Sequence, residues 1–319
     1  MQSYLVTPAQ AQTRQLNRSS TFVAFILLAM LLVNVALTAA SQFGLLEGAL
    51  QWANTHEKYM LLNMVVYVSS LAVPAVAVAL IGGYRRSPFA SKRVSGGLIG
   101  IGVVGGMAIA IFANVVATWV MNWLTMFGVP EPEMPDLLQP TLISLLLNIV
   151  STAVLPALIE EMIFRGYILG ALRQHGDGLA VVLSAALFAL FHGNVLQIPF
   201  AFILGLVMGY LLVQTDSIWP AVALHFANNL MSVLLNFFGK CFPEQDTAIT
   251  MAVFAAVTAL GAVVLTVVRR PRYLKMVGNG VSLLSVRERV SKLLFSPVMV
   301  IALAWLLVIV FNSMGSGQA

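Results

Sequence analysis

Residues 155–170 read LPALIEEMIFRGYILG. This apolar, helix-forming stretch contains three ionisable side chains, Glu160, Glu161 and Arg165. Apolar residues on both sides extend it beyond the roughly 20 residues that a helix needs to cross a bilayer. An ionised side chain at the centre of a membrane helix costs at least about 2.5–3.5 kcal/mol on insertion scales. We therefore expect these three groups to be paired with one another or to serve a function inside the membrane.

The composition of the whole chain is that of an integral membrane protein. Of its 319 residues, 60% are hydrophobic and 9% are charged, whereas soluble domains have about 25% charged residues. Cys241 is the single cysteine, which excludes a disulfide framework within the chain. The net charge of +5 does not indicate nucleic-acid binding, because the cations follow the loops between apolar segments.

The hydropathy pattern predicts an all-α, polytopic transmembrane bundle of about eight to nine helices. The candidate spans are residues 21–41, 59–83, 96–126, 141–172, 178–193, 197–214, 217–238, 248–268 and 295–312. The fifth and sixth are short and only narrowly separated. Pro156 lies inside the fourth span, where we expect neighbouring helices to satisfy the carbonyl group that a proline leaves without a donor.

Arginine and lysine residues predict the orientation in the membrane. With a cytoplasmic N-terminus, almost all basic residues fall on the cytoplasmic side, while the opposite loops carry acidic residues. This positive-inside bias predicts a cytoplasmic N-terminus, and with the compact loops it suggests a prokaryotic plasma membrane. The basic residues on that side are Arg14, Arg18, Arg85, Arg86, Lys92, Arg93, Arg173, Arg269, Arg270, Arg272, Lys275, Arg287, Arg289 and Lys292.

Four regions follow from this pattern. A polar cytoplasmic N-terminus (1–20) precedes the N-terminal transmembrane helices (21–135). Residues 140–240 form a core region that contains Glu160, Glu161 and Arg165, and residues 241–319 form the C-terminal transmembrane helices. The last region includes residues 269–294, which mix cations with apolar residues and read as an interfacial amphipathic segment.

Few ionisable side chains lie within the spans, and they fall on three helices. At a rise of about 1.5 Å per residue, the groups reach overlapping depths in the membrane. Ionisable residues at such depth are a functional hypothesis by default. They are Glu160, Glu161 and Arg165 on the fourth span, His192 on the fifth, and His225 on the seventh, where Asn228 and Asn229 accompany it.

Helical spacing separates the roles of the two glutamates. Glu161 and Arg165 are four residues apart, so they face the same side and can pair. Glu160 points about 100° away from Glu161 and has no partner on its own helix. We therefore expect Glu160 to be the one unpaired carboxylate.

Two later helices carry further pairs at the same spacing. Phe188 can pack beside the imidazole of His192, and His225 and Asn229 can present two polar groups to one target. Asn228 faces about 100° away from Asn229, and we expect it to form a helix–helix hydrogen bond.

These residue types are suited to hydrolysing an amide without a covalent intermediate. A desolvated carboxylate and an imidazole can bind and deprotonate water, and a histidine with an amide can stabilise an oxyanion. No comparable serine or cysteine site occurs, since the chain has no G-x-S-x-G sequence and Cys241 lies outside the spans. Two other functions stay open. One is a proton- or ion-coupled transporter that uses Glu160, His192 and His225 as a relay, and the other is a catalytically silent immunity or scaffold protein.

The motifs resemble those of a known family. E-E-x-x-x-R (Glu160 to Arg165), F-x-x-x-H (Phe188 and His192) and H-x-x-x-N (His225 and Asn229) occur in this order, as in the type II CAAX prenyl protease and bacteriocin-processing (CPBP or Abi) family. The resemblance implies an intramembrane endopeptidase with a conical cavity inside a helical bundle.

The resemblance also implies a role for each motif residue. Glu160 and His192 would activate water, and His225 and Asn229 would form the oxyanion site. Glu161 and Arg165 would support them.

The same family is often described as metalloproteases. Glu160, His192 and His225 could ligate zinc, although the H-E-x-x-H motif is absent. Two mechanisms therefore stay open: direct activation of water by Glu160 and His192, and activation of a zinc-bound water. The expected partners are membrane lipid and a membrane-associated or lipidated peptide or protein, and no nucleic acid. The oligomeric state is left open.

Overall fold

The computed structural model describes residues 7–84, 88–89, 92–131, 137–267 and 282–315. Every regular element in these residues is a helix, and they contain no strand. The predicted all-α bundle is confirmed. The helices are α1 (Pro8–Gln42), α2 (Glu47–Trp52), α3 (His56–Ile81), α4 (Gly96–Thr125), α5 (Leu142–His175), α6 (Asp177–Phe191), α7 (Gln197–Thr215), α8 (Trp219–Cys241), α9 (Asp246–Val267), α10 (Val286–Leu294) and α11 (Pro297–Gly315).

Eight of these helices are long and apolar enough to cross a membrane. The predicted fifth span, α6, has 15 residues, so it is about 22 Å long, short of the hydrocarbon thickness of about 30 Å. Helix α1 begins at Pro8, where Thr7 and Gln10 form a capping box. The polar residues after Pro8 therefore continue the first span as helix.

Helix α5 carries the glutamates and is not a regular α-helix. It contains two π-helical segments, Ile149–Val154 and Met162–Leu169, on either side of the α-helical section Leu155–Glu161. π-Helical turns are rare and are frequently found at functional sites. They widen the helix on both sides of the two glutamates.

Pro156 has a direct consequence in this helix. It has no N–H to donate to the carbonyl four residues earlier, that of Thr152. The side chain of Asn229 on α8 donates to this carbonyl instead, at 2.9 Å. The expectation that a neighbouring helix would satisfy the freed group is confirmed, and the contact joins α5 to α8.

Small residues allow the helices around α5 to approach closely. At Gly205, an added Cβ would lie 3.1 Å from the Cβ of Ala185, so α7 packs tightly on α6. At Gly106 on α4, it would lie 2.4 Å from Leu224 on α8. Close contact through small residues is a common way for membrane helices to associate.

One end of the bundle is joined by charged groups. Asp216, which follows α7, pairs with Lys92 at 2.7 Å and with Arg173 at 2.6 Å, and Arg173 also pairs with Asp177 at 2.9 Å. The hydrogen bond from Lys92 holds the pKa of Asp216 below its usual value. Arg289 on α10 donates to the carbonyl of His175 at the same end.

The predicted amphipathic segment 269–294 lies partly outside the described residues. Its described part contains α10, which begins with a capping box formed by Ser285 and Glu288. Leu293 is buried, and Ser20 on α1 donates to its carbonyl at 2.6 Å. Helix α10 therefore packs against α1 through its apolar side.

Candidate active site

The predicted pair between Glu161 and Arg165 is confirmed. Arg165 Nη1 donates to Glu161 Oε1 at 3.0 Å, and both side chains have no exposed surface. Arg165 Nη2 donates to the carbonyl of Gly205 at 3.2 Å, and its guanidinium lies 4.4 Å from the ring centre of Phe188. The arginine thus ties α5 to α6 and α7.

Glu161 has a second partner on α8. The atom that accepts from Arg165, Glu161 Oε1, lies 2.9 Å from Nδ1 of the buried His225. A carboxylate is an acceptor, so we assign the proton to Nδ1. In the neutral imidazole, Nε2 is then a free acceptor.

This orientation directs His225 towards the second glutamate. His225 Nε2 lies 3.8 Å from Glu160 Oε2. Glu160 Oε2 is buried and makes no hydrogen bond within the described chain. His225 Nε2 and Glu160 Oε2 therefore face each other, and each can still form a hydrogen bond with a further group.

The expectation that Glu160 would be unpaired is wrong. The hydroxyl of Tyr67 on α3 donates to Glu160 Oε1 at 2.6 Å, a short, charge-assisted hydrogen bond. The two oxygens of Glu160 thus differ, since Oε1 is held by α3 and Oε2 faces His225. Tyr67 was not anticipated as part of the site. Its sequence signal is weak, a tyrosine four residues after Asn63 on an otherwise apolar helix.

His192 is held by its own helix. Its Nδ1 lies 2.8 Å from the carbonyl of Phe188, and its ring packs edge-on against the Phe188 ring at 4.7 Å, which confirms the predicted packing. The His225 ring lies 6.0 Å from the same phenylalanine. In the described chain, no hydrogen bond or ion pair joins His192 to Glu160. His225 is thus the histidine that the structure brings beside Glu160.

The two asparagines form a short chain of hydrogen bonds. Asn228 Nδ2 donates to Asn229 Oδ1 at 3.1 Å, and Asn229 donates to the carbonyl of Thr152. The predicted helix–helix hydrogen bond from Asn228 is therefore wrong, because its partner is its own neighbour. Asn229 makes the contact between helices.

The residues proposed for zinc do not fit a metal site as they are placed. No three His, Cys, Asp or Glu side chains converge on one point in the described part of the chain. The Nδ1 atoms of His192 and His225 contact Phe188 and Glu161, and Tyr67 bonds one oxygen of Glu160. Each of the three residues keeps one open atom, but the three side chains do not form a metal-binding group in the described residues. We therefore derive no step through a metal.

A cavity of about 520 Å³ adjoins the glutamate. Tyr67 lines it and bonds Glu160, and Thr152 lines it and bonds Asn229. The cavity thus ends where the candidate site begins. Its lining residues are Met60, Asn63, Met64, Tyr67, Leu137, Leu138, Asn148, Ser151, Thr152, Ser232, Val233 and Asn236.

Comparison with known proteins identifies the segment that carries this site. Residues 142–231 match the family described as Type II CAAX prenyl endopeptidase Rce1-like. Comparisons with curated proteins and with solved structures found no match. The matched segment lies within the predicted core, and all three motifs fall inside it. The family match over residues 142–231 thus agrees with the resemblance that the three motifs carry to the type II CAAX prenyl proteases.

Proposed function

We propose that this protein is an intramembrane endopeptidase that hydrolyses a peptide bond in a membrane-associated or lipidated peptide or protein. The family match supports a protease-like role. The observation that carries the reaction is the facing pair of Glu160 Oε2 and His225 Nε2, 3.8 Å apart. One water could lie at hydrogen-bond distance, about 2.8 Å, from both atoms.

In the proposed reaction, Glu160 is the general base. Its Oε2 takes a proton from the water as the water oxygen forms a bond to the carbonyl carbon of the substrate. When the C–N bond breaks, the same proton passes to the leaving nitrogen. Glu160 then returns to its carboxylate form, and the products are a carboxylic acid and an amine.

The geometry modifies the roles that the resemblance implies for the other residues. A neutral His225 offers an acceptor at Nε2, so we assign it to binding the water. The second N–H of the Asn229 amide is the donor that we assign to the oxyanion. His192, with Nδ1 held by Phe188, offers Nε2 to the water or the substrate.

We retain the cytoplasmic N-terminus and the prokaryotic plasma membrane as parts of this proposal. In that orientation, the charged cluster of Asp216 and Arg173 lies on the cytoplasmic side. The end of the cavity at Leu137 and Leu138 then lies nearer the opposite face.

The test is cleavage of a library of membrane-anchored peptides by the protein reconstituted in vesicles. We expect Glu160→Ala to lower the cleavage rate at least about 100-fold, within the range for loss of general acid–base catalysis. His192→Ala should also lower the rate, because it removes the Nε2 atom that we assign to the water or the substrate. Undiminished cleavage by Glu160→Ala would refute the mechanism. Proton flux without cleavage, lost in Glu160→Ala, would identify a transporter instead.

Tyr67 is expected to position Glu160 rather than to touch the substrate's reacting atoms. Tyr67→Phe keeps the ring and removes the hydrogen bond to Oε1. A hydrogen bond to a charged group contributes about 1.5–3 kcal/mol, so we expect kcat to fall about 10-fold or more with KM little changed. Steady-state kinetics on a cleaved peptide measures both.

Tyr59→Phe is the matched control on the same helix, because Tyr59 is exposed. It should leave both constants unchanged. A Tyr67→Phe protein with normal kcat would show that the hydrogen bond has no part in positioning.

A further inference from the structure

Helix α8 carries polar residues at regular intervals beyond the candidate site. His225, Asn229, Ser232 and Asn236 are spaced by four, three and four residues, which places them on one face of a helix. At about 1.5 Å per residue, this stripe is about 16 Å long. It starts at the histidine beside Glu160 and runs towards the end of α8.

The far part of this stripe lines the cavity, together with polar groups of two other helices. Ser232 and Asn236 lie on one wall, Asn63 on α3 on another, and Ser151 and Thr152 on α5 on a third. Within the described chain, no charged side chain is among the lining residues. These amides and hydroxyls share the wall with apolar side chains, which are Met60, Met64, Leu137, Leu138 and Val233.

Several of these side chains have no hydrogen-bond partner in the described part of the protein. The side chains of Asn63, Ser232 and Asn236 make no hydrogen bond to the described residues, whereas the side chain of Asn148 donates to the carbonyl of Ser144 at 2.9 Å. An apolar occupant would leave the three free groups unsatisfied, which is unfavourable. A polypeptide in an extended form offers a donor and an acceptor at almost every residue.

We propose that this cavity binds an extended polypeptide segment of the substrate, with Asn63, Ser232 and Asn236 bonding its main chain. An extended chain rises about 3.3 Å per residue, so a stripe of about 16 Å accommodates about five residues on one side of the scissile bond. The assignment rests on the proposed function, since it identifies the cavity as the approach to Glu160. It makes a polypeptide main chain the ligand of the three polar side chains.

Binding is measured separately from cleavage. The full-length Glu160→Gln protein in lipid nanodiscs is titrated with a pool of neutral decapeptides that carry an uncharged fluorophore. We expect the double variant Asn63→Leu/Asn236→Leu, in the same background, to bind the pool at least about 10-fold more weakly. Neutral tripeptides, which are too short for the stripe, should bind at least about 10-fold more weakly to the parent protein.

Asn114→Leu is the matched control, because the Asn114 amide donates to the carbonyl of Ala110 on its own helix and does not line the cavity. It should bind the decapeptides normally. Equal binding by the double variant and this control, or no binding to the parent protein, overturns the proposal. Displacement of the decapeptides by farnesol but not by unlabelled peptide would also overturn it, in favour of a lipid site.

The two proposals fail in different ways. If wild-type protein cleaves peptides in a Glu160-dependent manner while Asn63 and Asn236 have no influence on binding, the cavity assignment is wrong and the protease stands. If the decapeptides bind as expected but cleavage does not depend on Glu160, the proposed reaction is wrong and the binding site stands.

Discussion

Replacing Glu160 with glutamine is expected to lower kcat for peptide cleavage at least about 100-fold without loosening the fold. The amide has nearly the same shape as the carboxylate, and its carbonyl oxygen can still accept the hydrogen bond from Tyr67 that Glu160 Oε1 accepts at 2.6 Å. It cannot act as a general base for the water that we place between Glu160 and His225. Single-turnover cleavage of a reconstituted substrate measures this loss, and thermal unfolding in detergent measures the fold.

The choice of glutamine separates the proton transfer from packing. Loss of activity in Glu160→Ala alone could reflect a cavity beside Tyr67, whereas Glu160→Gln leaves no cavity. Glu47→Gln, on the exposed surface of α2, is the control for removing one carboxylate and should keep full activity. If Glu160→Gln cleaves at the wild-type rate, Glu160 is not the base.

Arg165→Met is expected to destabilise the protein by about 3–5 kcal/mol, the usual cost of removing one partner from a buried ion pair. The change leaves the Glu161 carboxylate without its cation in a position with no exposed surface. It also removes the donor to the carbonyl of Gly205 and the cation over the Phe188 ring. Unfolding in a denaturing detergent, followed by far-UV circular dichroism, measures the change in free energy.

A double variant tests whether the buried charge is the cause. Glu161→Gln/Arg165→Met has no uncompensated carboxylate, and glutamine can still accept from His225 Nδ1. We expect it to regain a large part of the lost stability. The control Arg287→Met, at an exposed site on α10, should change stability by less than about 0.5 kcal/mol. If the single and double variants are equally unstable, the lost contacts of the guanidinium explain the effect and the buried charge does not.

The sequence predicted the parts of the site that depend on one helix. Glu161 and Arg165, and Phe188 and His192, are each four residues apart, and both contacts are present in the structure. Helical periodicity fixes such neighbours before any packing is known. The sequence also predicts that a carbonyl before Pro156 lacks its usual helical donor, because proline has no N–H. The group that donates to it, the Asn229 amide, comes from another helix.

Two predictions failed because they depend on which helix lies beside which. Tyr67 and Glu160 are 93 residues apart in sequence, and nothing in α3 alone shows that its tyrosine reaches α5. Asn228 was expected to bond another helix, but it bonds Asn229. The π-helical segments around the glutamates were also not expected from a periodicity of 100° per residue.

Read without a structure, the chain already indicates a membrane bundle and the side chains available for chemistry, because hydropathy and helical spacing are local properties. Which partner each of those side chains bonds depends on the tertiary structure. His225 is turned by Glu161 towards Glu160, and Tyr67 holds the other oxygen of that carboxylate. These contacts join α3, α5 and α8. They depend on how each helix is rotated and how deep it lies relative to its neighbours. Helix packing determines both, and helical periodicity along the sequence determines neither.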